Sequence, residues 1–281
     1  MKYCRTGGFI LILLMLNSYA AEAQMKRQRA QIPSVVDGAF WAPALVTQAT
    51  THHLSGGILN VTIMHSFGIA TDEPIRNFFG LDRVQNVRLG LDYGITDWWS
   101  AGIGRSSLLN VIDLRTKFAL LRQSKSQNSP LNISLKGDLG VITQENGRSF
   151  TDDISMLASI IISRKFTDAI SFQLVPMFAH FNNFLLANQN NYFALGLGAE
   201  IHLNKRFGVI AEYYPVVGEN PPNTRNAFSI GLNIKTGGHV FQLFFTSTRW
   251  HIGQFIITRN EHQFWAGDFR FGFNVNRVFG L

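Results

Sequence analysis

The final thirteen residues, Phe269 to Leu281, constrain the fold more than any other part of the chain. Phe269, Phe271, Phe273, Val275, Phe279 and Leu281 alternate with Arg270, Gly272, Asn274, Asn276 and Gly280, and only Arg277 and Val278 break the two rows. Period-two alternation produces a strand with two unlike faces. One face is bulky and apolar to the last residue, while the other is small or polar. That arrangement fits lipid on one side and a wet interior on the other, the condition of a strand in an outer-membrane barrel.

The opposite end reads as an export signal. Lys2 and Arg5 precede an apolar core from Phe9 to Leu16, followed by Ala21-Glu22-Ala23, so residues 1–23 are expected to be a cleaved signal peptide. That core is too short to span a bilayer, and no later run approaches the roughly 18 apolar residues of a transmembrane helix. Cys4 is the single cysteine, which leaves the mature chain without a disulfide. The net charge of +7 could indicate an anionic partner. No nucleic-acid motif accompanies it, and basic turns beside lipid head groups account for it without nucleic acid. Charged residues make up 15% of the chain against roughly 25% in soluble domains, too little for the surface of a soluble protein this size.

Residues 24–57 show little alternation and are expected to form a periplasmic tether or a plug, with the barrel occupying 58–281. From Ile58 onward the period-two pattern recurs. Its clearest instances are Val87, Leu89, Leu91, Tyr93 and Ile95 against Arg88, Gly90, Asp92 and Gly94, and Phe193 to Leu203 against Ala194, Gly196, Gly198, Glu200 and His202. A stretch near 154–162 is apolar on both faces and fits the pattern least. Altogether the chain predicts an all-β, antiparallel, up-and-down transmembrane barrel of about twelve strands, each about nine to eleven residues long.

Connection lengths agree with this count, since such barrels alternate short turns with long loops. Segments 69–84, 144–152, 182–190, 216–225 and 248–263 are long, whereas Thr96-Asp97, Asn204-Lys205 and Thr236 to Gly238 are tight. Two connections do not follow the alternation, a short one at Leu109-Asn110 and a longer one at 123–130. Both termini are expected in the periplasm. Trp98, Trp99, Tyr192, Tyr213, Tyr214, Trp250 and Trp265 fall near strand ends, where interfacial girdles are expected.

Several segments carry a resemblance. Thr50-Thr51-His52-His53-Leu54, His65-Ser66-Phe67-Gly68, Phe79-Gly80-Leu81-Asp82, Asn86 to Gly94 (NVRLGLDYG), Gly102 to Ser106, Gly238 to Leu243 and Arg270 to Phe279 (RFGFNVNRVF) resemble an outer-membrane β-barrel family of Bacteroidota whose function is unknown. The likeness runs from about Phe40 to the C-terminus. It implies a barrel, an outer-membrane address and contact with membrane lipid, and it supplies no substrate. The terminal row Phe269, Phe271, Phe273, Val275, Phe279 and Leu281 is also similar to the signal by which barrel-assembly machinery recognises such chains, although a terminal aromatic is commoner there than leucine.

On the polar faces stand Arg88, Asp92, Asp113, Arg115, Lys117, Lys136, Asp138, Glu200, His202, Glu212, Lys235 and Arg270. A lumen lined by both charge signs could pass or bind small polar solutes. Alternatively, these groups pair with one another and fill a narrow interior, giving a closed barrel that docks a periplasmic or surface partner. His52-His53 with His65 raises a metal site, but adjacent histidines on an extended chain point apart, and no cysteine or close carboxylate completes a ligand set. Hydrogen bonding is the expected role. Asp152, Asp153 and His180 are the nearest residues to a hydrolytic group, without a motif that would assemble them. No catalytic residue, metal or cofactor is therefore assigned.

Overall fold

The strands invert the pattern of a soluble barrel. In the computed structural model, which describes residues 38–124, 129–183 and 189–280, Leu89, Leu91, Ile103, Leu114, Phe172 and Phe193 face outward and are exposed, whereas Asn60, Ser66, Arg88, Ser134, Glu200 and Asn274 are buried inside. The expected signal peptide and Leu281 lie outside the described residues.

The strands are β1 (Ile58–Ile69), β2 (Val84–Gly94), β3 (Trp99–Ser106), β4 (Ile112–Leu121), β5 (Asn132–Val141), β6 (Ile154–Lys165), β7 (Ile170–Phe181), β8 (Asn191–His202), β9 (Phe207–Tyr214), β10 (Val216–Val217), β11 (Ala227–Lys235), β12 (His239–Thr246) and β13 (Arg270–Gly280). Apart from the two-residue β10, each pairs antiparallel with the long strands before and after it in the chain. β9 passes to β11, and β13 returns to β1 with Ile58 opposite Gly280 and Ser66 opposite Gly272. Twelve strands thus close into a barrel, and the two-residue β10 adds a short pairing to β8 beyond the end of β9. Closure leaves no unpaired edge for a bilayer to solvate.

An even strand count puts the first and last strands' outer ends at the same rim. At that rim the turns 94–99, 165–170, 202–207 and 235–239 are short, and 121–132 is longer. The opposite rim carries 69–84, 141–154, 181–191, 214–227 and 246–270, together with the short 106–112. Both irregular connections expected from the sequence are therefore present.

Two inserts occupy the interior. Residues 38–57 enter from the terminal rim and double back, with Leu45 N–H donating to Gln48 O at 2.9 Å and Thr50 N–H to Pro43 O at 2.9 Å. Phe40, Leu45 and Val46 pack on inward-facing Ile210 and Phe244. From the other rim, the connection between β12 and β13 folds inward through helix α1 (Gly253–Arg259). Its Phe255, Ile256 and Ile257 form an apolar cluster with Leu157, Ile161, Val175, Phe181 and Tyr192 on the wall.

That second insert explains why the sequence around 154–162 is apolar on both faces. Outward Met156 and Ile160 are exposed, while inward Leu157 and Ile161 meet the α1 cluster rather than water. It also corrects the girdle assignment. Trp98, Trp99 and Trp265 are exposed near the rims, but Tyr192, Tyr214 and Trp250 are buried inside, because the inward-folded loop supplies an apolar environment that the strand pattern does not reveal.

Candidate functional site

The charged side chains of β2, β4 and β5 form one patch of the inner wall, and β3 shapes it by what it lacks. Its inward residues are Ser100, Gly102, Gly104 and Ser106, so side chains from β2 and β4 meet over it. A Cβ at Gly104 would collide with the Arg88 guanidinium and come within 2.8 Å of Asp113 Oδ1. Arg88 donates through Nη2 to Asp113 Oδ2 at 2.7 Å and through Nε to Oδ1 at 3.0 Å. Arg115 donates to Asp92 Oδ1 at 2.8 Å and to Asp113 Oδ2 at 2.8 Å. Lys136 pairs with Asp138 beside them. Bidentate and bridged pairs of this kind hold their geometry better than single contacts.

The remaining polar wall grips the main chain of the N-terminal hairpin. Glu212 Oε2 accepts from the backbone N–H of Val46 at 3.0 Å, Thr47 at 3.0 Å and Gln48 at 2.9 Å, and its Oε1 accepts from Thr47 Oγ1 at 2.6 Å. Glu200 accepts from Trp41 N–H at 3.1 Å and from Asn233 Nδ2 at 2.8 Å. On the carbonyl side, Lys117 Nζ donates to Thr50 O at 3.1 Å and His52 O at 2.6 Å, Asn274 Nδ2 to Val46 O at 2.7 Å, and Gln173 Nε2 to Ala49 O at 3.0 Å. On β8, a Cβ at Gly198 would come within 2.5 Å of Leu45 Cδ1, so its absence makes room for the hairpin tip.

A cavity of about 120 Å³ remains between the two inserts. The charged patch, hairpin residues Pro43, Ala44 and 46–49, and His251-Ile252-Gly253 line it. His251 is buried, and neither ring nitrogen has a hydrogen-bond partner among the described residues. Burial first, then the positive charge of Arg88, hold its pKa down to about 3, so it is neutral at ordinary pH.

Not all the residues singled out from the sequence converge on this cavity. His202 stacks on Trp41 with ring centroids 4.2 Å apart, and exposed Lys235 stands 5.5 Å from the same ring at the terminal rim. Arg270 faces inward at the opposite rim. His52 Nδ1 lies 3.1 Å from Phe40 O, and His53 Nε2 lies 2.9 Å from Ser134 Oγ. His65 is on the outward row, stacked 5.1 Å from Phe273. Asp153 pairs with Arg148 at 3.1 Å, while His180 Nδ1 lies 2.7 Å from Asn191 Oδ1; no hydrogen bond or ion pair among the described residues joins Asp153 to His180.

Sequence reasoning missed His251, α1 and the amides Gln48, Gln173 and Gln242. Ile252, Phe255, Ile256 and Ile257 were the available signal, being too apolar for a loop that stays in water.

A closed strand barrel with an apolar outer band and a polar interior is the form of an outer-membrane protein. The family model described as membrane bound beta barrel domain (DUF5777), a domain of unknown function, matches residues 40–279. The chain belongs to this family. The matched span coincides with the likeness read from the sequence, and the protein is an outer-membrane β-barrel in contact with lipid. Among solved structures, this membrane-bound barrel is similar to the NanC porin at 8% identity and TM-score 0.50, covering 79% of this chain and 99% of that one. It is similar to the KdgM porin at 11% identity and TM-score 0.51, covering 78% and 99%. A structure of the KdgM porin in complex with disordered oligogalacturonate gives 10% identity and TM-score 0.51 over the same shares. No curated protein matches the chain.

Proposed function

We propose that the protein passes or binds small polar solutes through its charged lumen, with the N-terminal hairpin acting as a displaceable plug and no bond chemistry involved. In this reading residues 1–23 are a signal peptide, 24–57 the plug segment and 58–281 the barrel, and the terminal apolar row serves recognition by the assembly machinery. The observation that carries the reading is how the hairpin is held. Its main chain hangs on polar side chains of the wall, principally Glu212, Glu200, Lys117 and Asn274. Water can replace each of those bonds at modest net cost. Behind the hairpin lies the paired charge of Arg88, Asp92, Asp113 and Arg115, a lining able to select solutes by charge. The porin folds it resembles, one of them in complex with an acidic saccharide, support transfer rather than catalysis.

Single-channel conductance of the refolded mature chain in planar bilayers, with and without residues 24–57, tests the reading. Rare openings in the full chain and steady, charge-selective conductance after truncation are expected. Silence from both forms, each verified as folded by heat-shifted gel mobility, would overturn it.

A further inference from the structure

Three arginines on the described strands face inward, and the side chain of one of them makes no hydrogen bond or ion pair among the described residues. Arg88 and Arg115 are paired with carboxylates. Arg270, at the start of β13, is 1% exposed and makes no side-chain hydrogen bond or ion pair among the described residues; its Nε is buried and unsatisfied. A buried guanidinium without a direct ion pair is rare, because removing it from water is costly. Glu261 and Asp268 supply opposite charge near Arg270 but form no ion pair with it, and Glu261 is paired with Arg249 at 3.6 Å. Arg270 lines a polar recess of about 190 Å³ together with His262, Arg83, Gln85 and Asn77. That volume is several times the roughly 30 Å³ share of a water molecule. Asp72 also borders the recess, but its charge is met by Arg83 at 3.1 Å.

The recess has built walls. The connection from β1 to β2 turns back through three left-handed residues, Phe78 (φ 46°), Phe79 (φ 54°) and Gly80 (φ 82°). Gly80 then rests against Gly68 so closely that a Cβ there would collide with Gly68 O and come within 2.9 Å of Ile69 O. Asn77 Nδ2 donates to Asp72 O at 2.9 Å and fastens the loop internally. Three segments that carried the family resemblance, His65 to Gly68, Phe79 to Asp82 and the stretch opening at Arg270, thus meet around one buried cation that makes no side-chain hydrogen bond or ion pair among the described residues.

We propose that Arg270, with His262 and Arg83 around it, binds a small oxyanion, the phosphate or carboxylate group of a free solute, at the rim opposite the termini. A planar fork of donors suits such a group. Arg270 is on the inward row with Gly272 and Asn274, across the wall from lipid, which favours a solute over a lipid head group.

Isothermal titration of the refolded mature chain in neutral detergent with inorganic phosphate, at constant ionic strength, tests the site without requiring conduction. Saturable binding is expected, weakened roughly tenfold or more in Arg270→Gln, with Arg270→Lys intermediate. Since no side-chain hydrogen bond or ion pair among the described residues is lost, Arg270→Gln should keep the heat-shifted mobility of the folded barrel. Should that variant fail to fold, Arg83→Gln at the exposed edge is the second probe, with weaker phosphate binding expected. Absence of saturable binding in the folded wild type, or unchanged binding in the variants, would overturn the site. Binding in detergent that vanishes in phosphatidylglycerol vesicles but persists in phosphatidylcholine vesicles would assign it to lipid head groups and overturn the solute reading.

Discussion

Arg88 on β2 and Asp113 on β4 are bonded through two N–H···O contacts, at 2.7 and 3.0 Å, although β3 runs between their strands. Both side chains are almost wholly buried. Removing one partner of such a pair leaves an uncompensated charge. Asp113→Ala is expected to lower stability by about 3–5 kcal/mol, whereas replacing both by apolar residues, Arg88→Met with Asp113→Leu, should cost far less. Urea unfolding of the refolded single and double variants gives the comparison. Gly104→Val, which places a side chain where the pair crosses, should behave like the single loss.

Glu212 is the main anchor of the hairpin, and Gln would put an amide N–H₂ where an acceptor is needed. Glu212→Gln is expected to loosen residues 38–57 while leaving the barrel closed. Limited proteolysis should cleave that segment at least about tenfold faster than in the wild type, taking hydrogen bonds to a charged group at about 1.5–3 kcal/mol each. Equal cleavage rates would show that the apolar contacts of Phe40, Leu45 and Val46 suffice.

Acid should release the other insert. His251 is neutral when the loop is folded in, with a pKa near 3 against an ordinary 6.5, so the loop-out state binds the extra proton between those values. Stability of the inward arrangement is whole above pH 6.5 and falls as pH drops toward 3, by up to about 1.4 kcal/mol per unit. In a chain lacking residues 24–57, conductance is expected to rise on acidification, and His251→Phe should flatten that dependence. An unchanged profile in the variant would assign the acid response to other groups.

On the lipid side, Val275 lies midway along β13, opposite Ile63 on β1 and Phe241 on β12. Val275→Arg is expected to cost about 2–4 kcal/mol in urea unfolding from vesicles. Asn274→Ser, one residue away and facing inward, should instead act through the hairpin, because Asn274 Nδ2 holds Val46 O.

The barrel was legible because strand side chains alternate with a period of two, so one row of Leu89, Leu91 and Tyr93 against Arg88, Gly90 and Asp92 states both the element and its faces. The count of about twelve and the irregular turns came from the same local signal. Pairing inside the lumen was not legible. That Arg88 meets Asp113 depends on strand register and on the empty space over Gly104, neither of which alternation specifies. The two inserts were hidden for a different reason. Tyr192, Tyr214 and Trp250 are consistent with a membrane interface until α1 is known to fold inward and cover them.

The hairpin's polar seat recognises its backbone far more than its side chains. The N–H groups of Trp41, Val46, Thr47 and Gln48 and the C=O groups of Ala44, Val46, Ala49, Thr50 and His52 take most of the bonds from the wall. Substitution should therefore be felt unequally on the two sides of the contact. Half-buried Ala44 and Ala49, which face the cavity, can exchange side chains and still fit, provided the turn survives, whereas Glu212, Lys117 and Asn274 each answer for more than one bond or for a buried one. Evolution along this lineage could retune what the stopper presents to the cavity, in size or polarity, without rebuilding the socket that receives it.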